Sequence, residues 1–268
     1  MMSGKSVSAF VITYNEQRNI ADCLESLKCA DELLVVDSFS TDRTLDIARR
    51  YTDRIIQHEF GGHVAQTRYA FEQTTCPWVM WLDADERLTQ QALDELRGAL
   101  AGPGEPAYSG FAFPRRTFFM GRWIRHSGWY PQPKVRLWRR DAGTVAGDEP
   151  HPHVELSGPA KALAGDILHF TYPQGLRDMV AVSAKYAGCA ARARHAAGKR
   201  FSAVNLMVKP PAVFLKKYLL QRGFLDGLPG LAISAGTAYN RILREMMLWE
   251  LDHAAELPPF KPPQMPAG

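Results

Sequence analysis

The sequence has no run of eighteen apolar residues, the length that a helix needs to cross the hydrocarbon core of a bilayer. We therefore expect no conventional membrane-spanning helix. The first residues also lack the charged and then apolar pattern of a secretory signal peptide, because Lys5 leads directly into a predicted strand. Together the two absences indicate a cytoplasmic protein.

Cysteine is scarce, since only four of the 268 residues are cysteines and no two of them form a Cys-x-x-Cys pair. We expect reduced and mostly buried thiols, as is usual in the cytoplasm. Apolar residues make up 46% and charged residues 22% of the chain, which is ordinary for a soluble protein. The length suits one large core or a core with an appendage.

Acidic residues are rare in the C-terminal third of the chain. The net charge of the whole chain is +4, but residues 176–250 contain twelve Lys or Arg and only four Asp or Glu, a net charge of +8. The remaining residues therefore sum to −4. This distribution indicates an anionic partner surface. We expect that surface to be a membrane and expect no nucleic-acid partner.

The chain is organised around residues 78–87, WVMWLDADER. Its first half is a short apolar run, typical of a strand that is buried on both faces of a parallel sheet. The run ends in Asp83, Asp85 and Glu86, three carboxylates that repel one another unless a cation or a hydrogen-bonding ligand compensates them. Ligands of open α/β sheets bind at the carboxyl ends of strands, so this position favours a divalent cation that grips a diphosphate. The alternative is an acidic turn that caps a helix over residues 89–100.

Strands alternate with helices before residue 101. We predict strands over residues 6–12, 33–36, 54–57 and 79–82, and helices over residues 16–28, 45–50, 64–73 and 89–100. This alternation is typical of βαβ units and predicts an α/β fold with a mostly parallel sheet. Residues 111–114 and 134–139 are further strands without helices between them, and residues 167–170 are expected to close the sheet.

Four motifs lie on these elements or directly after them: residues 13–16 (TYNE), 35–42 (VVDSFSTD), 66–68 (QTR) and 82–88 (LDADERL). In this order and spacing they resemble family 2 glycosyltransferases of the GT-A fold. The resemblance implies a Rossmann-like, mostly parallel sheet flanked by helices. It also implies a nucleotide-sugar donor and a divalent cation, Mg²⁺ or Mn²⁺, as cofactor.

The resemblance also implies roles for individual residues. The nucleotide sugar would be bound by Thr13, Tyr14 and Glu16 along the nucleotide, Asp37 at the base or ribose, Arg68 at the diphosphate and Asp83 at the ribose or the metal. Asp85 would ligate the metal, together with Asp83.

Residues 148–153 (DEPHPH), 169–172 (HFTY) and 224–230 (FLDGLPG) are similar to a narrower subgroup, which adds a hexose to the inner core of lipopolysaccharide. The subgroup implies an inverting hexose transfer, with a UDP-sugar as donor, to a lipid-anchored saccharide. Such an enzyme would lie on the inner face of the cytoplasmic membrane.

The acceptor hydroxyl must lose its proton during attack, which requires a positioned base. In the inverting family, an Asp or Glu beyond the metal motif serves as this base. Glu149 is our first candidate and Asp148 our second, while Glu86 competes for the role. The alternative is that Asp148 and Glu149 are solvated loop charges.

Three histidines, His151, His153 and His169, lie beside acidic residues, an arrangement that can bind zinc. No second pair of ligands has a suitable spacing, so we favour contact with an acceptor phosphate or a structural role. The aromatic and basic residues 118–130 fit a core and a sugar-stacking surface equally well.

We divide the chain into a GT-A catalytic domain over residues 1–175, a basic helical region over residues 176–257 and a disordered Pro-rich tail over residues 258–268. The helical region combines bulky apolar residues with Lys216, Lys217 and Arg222, a pattern typical of helices that lie in the headgroup plane of a membrane. The alternative is that its apolar face packs on the catalytic domain or on a second copy in a homo-oligomer.

Two other functions compete with this interpretation. A nucleotidyltransferase that makes the activated sugar usually has a Gly-rich, basic loop after the first strand, which residues 13–16 do not provide. A non-catalytic, membrane-bound scaffold of the same fold would have no need of Asp83, Asp85 and Arg68.

Overall fold

A computed structural model of the protein describes residues 5–101, 107–149 and 151–254. The chain forms two compact units, with the boundary between Gly175 and Leu176. The functional roles that we assign to the two parts stay predictions. The predicted Pro-rich tail, residues 258–268, lies outside the described residues.

The first unit contains four described helices, which are α1 (Ile20–Ser26), α2 (Thr44–Ala48), α3 (His63–Glu72) and α4 (Gln90–Leu100). Its described strands are β1 (Val7–Thr13), β2 (Glu32–Asp37), β3 (Ile55–Gln57), β4 (Trp78–Asp83), β5 (Glu86–Leu88), β6 (Gly110–Phe113), β7 (Arg115–Phe119), β8 (Arg122–Trp123), β9 (Lys134–Arg139), β10 (Gly143–Ala146), β11 (His153–Leu156), β12 (Ala160–Ala162) and β13 (Ile167–His169).

Within the described residues, the central sheet has seven strands in the order β12-β6-β9-β4-β1-β2-β3. Strands β3, β2, β1 and β4 run parallel to one another, while β9 runs antiparallel to both β4 and β6. The predicted α/β class, with a mostly parallel sheet flanked by helices and a helical C-terminal part, is confirmed.

Strand β4 lies at the centre of the core, as its apolar sequence predicts. Met80 and Leu82 pack into one hydrophobic cluster together with residues of α1 and α4. Val79 and Trp81 pack into a second cluster on the opposite face, together with residues of α3. Because successive side chains of a strand point to opposite faces, a strand covered on both sides must be apolar at every position.

The prediction that residues 167–170 close the main sheet is wrong. Strand β13 instead belongs to a second sheet in the order β5-β13-β7-β8, antiparallel to β5 and parallel to β7. In this register His169 lies opposite Glu86. Non-local pairing of this kind leaves no local pattern in the sequence, but it brings β13 to the acidic turn after β4.

The acidic turn does not cap the helix that follows it. The hydroxyl oxygen of Thr89 accepts a hydrogen bond from the amide of Ala92 at 3.2 Å and so caps α4, while Glu86 belongs to β5. The predicted helix over residues 16–28 is also shorter than expected. It begins only at Ile20, because the preceding loop is bonded to the loop after β2.

The second unit consists of the helices α5 (Leu176–Ala196), α6 (Ala203–Leu215) and α7 (Leu228–Asp252), with a π-helical turn at Lys216–Leu220 and a 3₁₀ turn at Gly223–Asp226. Helices α5 and α6 both pack on α7. The long helix α7 continues through the uncharged stretch into the basic one. Among the described residues, no helix is both long enough and apolar enough to cross a membrane.

Candidate active site

Three of the predicted site residues end neighbouring parallel strands. The register of β1 and β2 sets Thr13 beside Asp37, and the register of β1 and β4 sets Ile12 beside Asp83. All these strands run in the same direction, so their carboxyl ends form one edge of the sheet. The structure therefore brings Thr13, Asp37 and Asp83 to that edge.

The loops after β1 and β2 are held together by side-chain hydrogen bonds. Asn15 adopts the left-handed region at φ 55°, and its side-chain oxygen accepts a hydrogen bond from the amide of Thr41 at 2.8 Å. The amide of Glu16 donates to the hydroxyl of Thr44, also at 2.8 Å. A cavity of about 350 Å³ adjoins this junction, lined by residues 15–19, Asp42, Pro173 and Gln174. The predicted nucleotide-binding loop is therefore ordered by contacts within the protein, and Tyr14 is exposed on it.

Asp37, the predicted base or ribose contact, is completely buried. Its carboxylate accepts hydrogen bonds from the amide of Ser40 at 2.9 Å, from the Ser40 hydroxyl and from the Gln57 side-chain amide at 3.3 Å. These contacts fix the turn after β2. Direct contact with a nucleotide would require some of them to rearrange.

The acidic turn is partly open to solvent. The side chains of Asp83 and Asp85 are 33% and 22% exposed. Asp83 Oδ2 lies 2.7 Å from a guanidinium nitrogen of Arg136, and Asp85 Oδ2 lies 3.3 Å from Nε2 of His169. The backbone amide of Phe170 donates to the carbonyl of Asp85 at 2.9 Å, which attaches the turn to the segment after β13.

A buried arginine, Arg136, pairs with the carboxylates of this turn. Arg136 on β9 is 3% exposed, stacks on the Trp81 ring at 3.9 Å and lies 2.7 Å from Glu86, which is completely buried. Burial alone would raise the pKa of Glu86, but the charges of Arg136 and Arg115 hold that pKa below its ordinary value. Burial alone would likewise lower the pKa of Arg136, but Glu86 and Asp83 raise it. Glu86 is thus a buried, ionised partner of arginine, which makes it a poor competitor for the role of base.

Glu16 extends the acidic group from the side of β1. Its pKa is raised above its ordinary value by burial and by the nearby charges of Asp85 and Asp42, against the opposing effects of a hydrogen bond from Asn19 and of His169. The charges of Asp85 and His169 therefore act on Glu16 across the site.

Asp83, Asp85 and His169 fit a divalent cation in their chemistry, because carboxylate oxygens suit Mg²⁺ and Mn²⁺ and an imidazole suits transition metals. In the part of the chain that the structure describes, no group of three His, Cys, Asp or Glu side chains forms a complete metal site. Mg²⁺ usually takes one or two carboxylates and completes its shell with substrate phosphates and water. The observed pair of carboxylates is consistent with that mode of binding.

Arg68 and Glu149 lie on the α3 side of the unit. Arg68 is exposed on α3 and donates to the Val145 carbonyl at 3.3 Å. The carboxylate of Glu149 accepts hydrogen bonds from the amides of His63 and Val64, each at 2.7 Å, and so caps the N-terminus of α3. Among the described residues, no hydrogen bond or ion pair joins either side chain to Asp83 or Asp85.

The three histidines do not converge within the described residues. His169 lies at Asp85, while His153 forms an exposed pair with Glu155 at 3.4 Å. The charges that act on His151 are those of Lys134 and His63. This separation argues against the zinc alternative.

The aromatic stretch over residues 118–130 contributes to the core in part. Phe119 is buried, and its ring lies 5.7 Å from that of Trp129. Phe118 and Trp123 pack on Phe170, with ring centroids 5.9 and 5.4 Å apart. Trp123 and Trp129 are only half-buried, so a sugar-stacking role for them stays a prediction.

Sequence reasoning missed Arg136, Arg115 and Lys134 as parts of this site. The available signal was Arg136, which stands between Val135 and Leu137 in the middle of the strand KVRLWR. A buried guanidinium requires a carboxylate partner, so such an arginine indicates an acidic group nearby.

Comparison with protein-family models and with known proteins gives consistent matches. The family model described as "Glycosyl transferase family 2" matches residues 8–154. The lipopolysaccharide core biosynthesis glycosyltransferase LpsC of Rhizobium meliloti (strain 1021) is 29% identical over 252 residues, covering 88% of this chain and 92% of the relative. An uncharacterized glycosyltransferase of Rickettsia typhi is 30% identical over 259 residues, covering 92% of this chain and 88% of the relative.

Solved structures are similar at a lower level. S. aureus TarS 1-349 in complex with UDP-GlcNAc has a TM-score of 0.47 at 16% identity, covering 93% of this chain and 92% of that one. The mannosyltransferase PcManGT from Pyrobaculum calidifontis in complex with GDP-Man and Mn²⁺ also has a TM-score of 0.47 at 16% identity, covering 94% of this chain and 87% of that one.

Proposed function

Because the chain belongs to glycosyl transferase family 2, we propose that it transfers a hexose, with inversion, from a UDP-sugar to a lipid-anchored glycan such as lipopolysaccharide core. Family membership makes the chain a glycosyltransferase. The donor, the acceptor and the dependence on a metal are our proposal. Support for the acceptor comes from the relative LpsC, which is named for lipopolysaccharide core biosynthesis.

The observation that supports the proposal is the position of Asp83 and Asp85 at the carboxyl end of β4, where their side chains are 33% and 22% exposed. Such an edge is where ligands of open α/β sheets bind. A bound Mg²⁺ or Mn²⁺ would supply Lewis-acid neutralisation of the diphosphate leaving group. Asp85 and Asp83 would hold the cation, with His169 beside Asp85, and Arg136 would orient Asp83 through their 2.7 Å contact.

The nucleotide would lie along Thr13, Tyr14 and Glu16, with Asp37 fixing the turn that borders the base or ribose. Support comes from the ordered junction between the two loops, through Asn15–Thr41 and Glu16–Thr44. Arg68 would reach the diphosphate only by leaving its contact with the Val145 carbonyl.

For the base we propose Glu149 or Asp148. Both side chains are exposed, and each Glu149 oxygen accepts one amide, from His63 or Val64, so that a lone pair is left at each oxygen for a proton. If Glu149 is the base, Glu149→Gln lowers kcat with little change in donor affinity, because the base acts only in the transition state. Near wild-type turnover in Glu149→Gln, with a loss in Asp148→Asn, transfers the role to Asp148.

We also propose that the second unit docks on the inner face of the cytoplasmic membrane, where a lipid-anchored acceptor is confined. Support comes from a set of exposed apolar residues, which we call the apolar strip: Val204, Met207, Val208, Leu215, Leu219, Leu220, Phe224, Leu225 and Leu228. Residues 203–225 also contain four basic residues and no acidic one. Apolar side chains with a basic edge suit an anionic headgroup layer. Packing on a second copy is the alternative outcome.

Release of free nucleoside diphosphate tests the proposed reaction. We expect a screen of nucleotide sugars by thermal shift, with and without Mn²⁺, to identify a stabilising UDP-sugar. That donor should then release UDP only when a lipopolysaccharide-type acceptor is present. Release of pyrophosphate from a sugar phosphate and UTP would indicate a nucleotidyltransferase, and binding without release of either product would indicate a scaffold.

A further inference from the structure

A half-buried lysine, Lys134, stands at the same edge of the central sheet as the acidic turn. It is the first residue of β9, which runs antiparallel to β4 with Met80 opposite Leu137. Because the two strands are antiparallel, Lys134 lies towards the carboxyl end of β4, where Asp83 stands. Lys134 also pairs with Phe113 of β6, two residues before Arg115 on β7.

The charges around Lys134 are unbalanced. Arg115 and Arg136 are its cationic neighbours, and the carboxylates nearby, Glu86 and Asp83, are already engaged by Arg136 at 2.7 Å each. No hydrogen bond or ion pair joins the Lys134 ammonium to another residue in the described part of the chain.

His151 and His63 are further basic groups in this region. His151 feels the charge of Lys134 and that of His63 at the start of α3. The N-terminus of α3 is itself positive, and the carboxylate of Glu149 bonds to its first two amides. A carboxylate therefore already occupies one part of this basic region, while Lys134 has no anion of its own.

We propose that Lys134, together with Arg115, binds a phosphate group of one of the two substrates. The inference rests on the proposed function, because it assigns the phosphate either to the donor diphosphate or to the acceptor glycan. Phosphate provides several acceptor oxygens for an ammonium and a guanidinium at once. Arg115 is suitable because its side chain is 20% exposed; Nη2 donates to Gln132 at 2.7 Å and Nη1 lies 3.5 Å from Glu86, while Nε is buried with no hydrogen-bond partner among the described residues.

The first test measures binding without turnover. Calorimetry with inorganic pyrophosphate and with UDP compares wild type with Lys134→Gln, and Lys161→Gln is the matched control because Lys161 is exposed on β12. We expect Lys134→Gln to weaken pyrophosphate by about tenfold, as for a lost charged hydrogen bond, and Lys161→Gln to have no effect. Lys134→Arg should restore binding, and this second variant covers the case in which Lys134→Gln does not fold.

A second measurement distinguishes the two sources of phosphate. If UDP also weakens in Lys134→Gln while uridine does not bind differently, the donor diphosphate is the ligand. If UDP binds as in wild type but the KM for a phosphorylated lipopolysaccharide acceptor rises, and the KM for the same acceptor after dephosphorylation does not, the acceptor phosphate is the ligand.

The proposal is overturned if Lys134→Gln matches wild type with pyrophosphate, with UDP and with both acceptors. That result differs from failure of the proposed function, in which the wild-type protein releases no nucleoside diphosphate from any donor. The pyrophosphate measurement does not depend on turnover, so it tests the basic cluster in either case.

Discussion

The two units of the protein differ in their most prominent departures from the usual burial rule, although the second unit also buries Asp226 and Glu245. In the first unit, charged side chains are inside: Asp37, Glu86 and Arg136 are all buried. In the second unit, apolar side chains are outside, and Leu220, Met207 and Val204 are 80%, 72% and 70% exposed. Buried charges and exposed apolar patches are the informative exceptions to ordinary burial. Each unit therefore has a set of side chains whose burial or exposure folding alone does not explain.

The physical reason for these departures differs between the two units. A buried carboxylate is tolerated when a guanidinium compensates it, and Arg136 does this for Glu86 and Asp83. Negative charge thereby remains at the strand edge, where we propose that a cation binds. The exposed leucines have no comparable compensation, and we propose that an apolar partner covers them. On this proposal the first unit holds charge for a small ligand, and the second contacts an extended surface.

Arg136→Met tests the buried half of this comparison and should have the largest effect. Removing one partner of a buried ionic network leaves Glu86 without its main counter-charge, and the free energy of unfolding should fall by about 3–5 kcal/mol. Chemical denaturation measures this loss. Arg139→Met on the same strand is the matched control, since its pair with Asp141 is exposed and should contribute under about 1 kcal/mol. Equal losses in the two variants would contradict the account.

The pH dependence of Glu86→Gln tests the same buried ion pair, and we expect a smaller effect on stability. The pKa of Glu86 is held below its ordinary value of 4.5, so its ionised form contributes stability that is present above that pH and is lost as the pH falls through the folded-state pKa. We expect wild type to exceed Glu86→Gln in stability by about 1–3 kcal/mol at neutral pH. The difference should shrink as the pH falls below 4.5. A gap that stays constant down to pH values below that point would show that Glu86 is not ionised in the fold.

The exposed half of the comparison predicts the smallest change in stability. Replacing both Leu219 and Leu220 by Ser should alter the free energy of unfolding by about 0.5 kcal/mol or less, because both side chains already face solvent. Binding to anionic vesicles should nevertheless weaken by about tenfold or more, since each inserted leucine contributes roughly 1.5–3 kcal/mol. Co-sedimentation measures this.

Val180→Ser on α5 is the control for the vesicle experiment, as Val180 is exposed but outside the apolar strip. High salt should also reduce vesicle binding, because the basic residues beside the strip act by charge. Should wild-type protein ignore anionic vesicles at low salt but form a dimer that the double substitution disperses, the strip is an interface between copies of this chain.

Residues at strand ends were predictable from the sequence, while the way in which other residues reach those strand ends was not. Asp37 and Asp83 terminate apolar runs, and parallel pairing necessarily brings such ends to one edge. Arg136 and His169 reach the site from β9 and β13, whose partners are distant in sequence. Their contribution depends on β9 inserting between β4 and β6 and on β13 leaving the main sheet, which no local periodicity reveals.

The C-terminal helices show the same limit of prediction from sequence. Their helical character and basic composition are visible in the sequence, but which apolar residues face outward depends on how α5, α6 and α7 pack. Glu149 is a further example. The family resemblance implies an acidic base beyond the metal motif and so indicated Glu149, which in the structure caps α3 through the amides of His63 and Val64.

The central claim is that the carboxylates after β4 hold a divalent cation together with the donor diphosphate. Calorimetric titration of UDP into wild type and Asp85→Ala, each with Mn²⁺ and with a chelator, tests it most directly. We predict that Mn²⁺ strengthens UDP binding to wild type and does not strengthen binding to Asp85→Ala, whose melting temperature should stay close to that of wild type because Asp85 is partly exposed. Undiminished Mn²⁺ dependence in a folded Asp85→Ala would contradict the account.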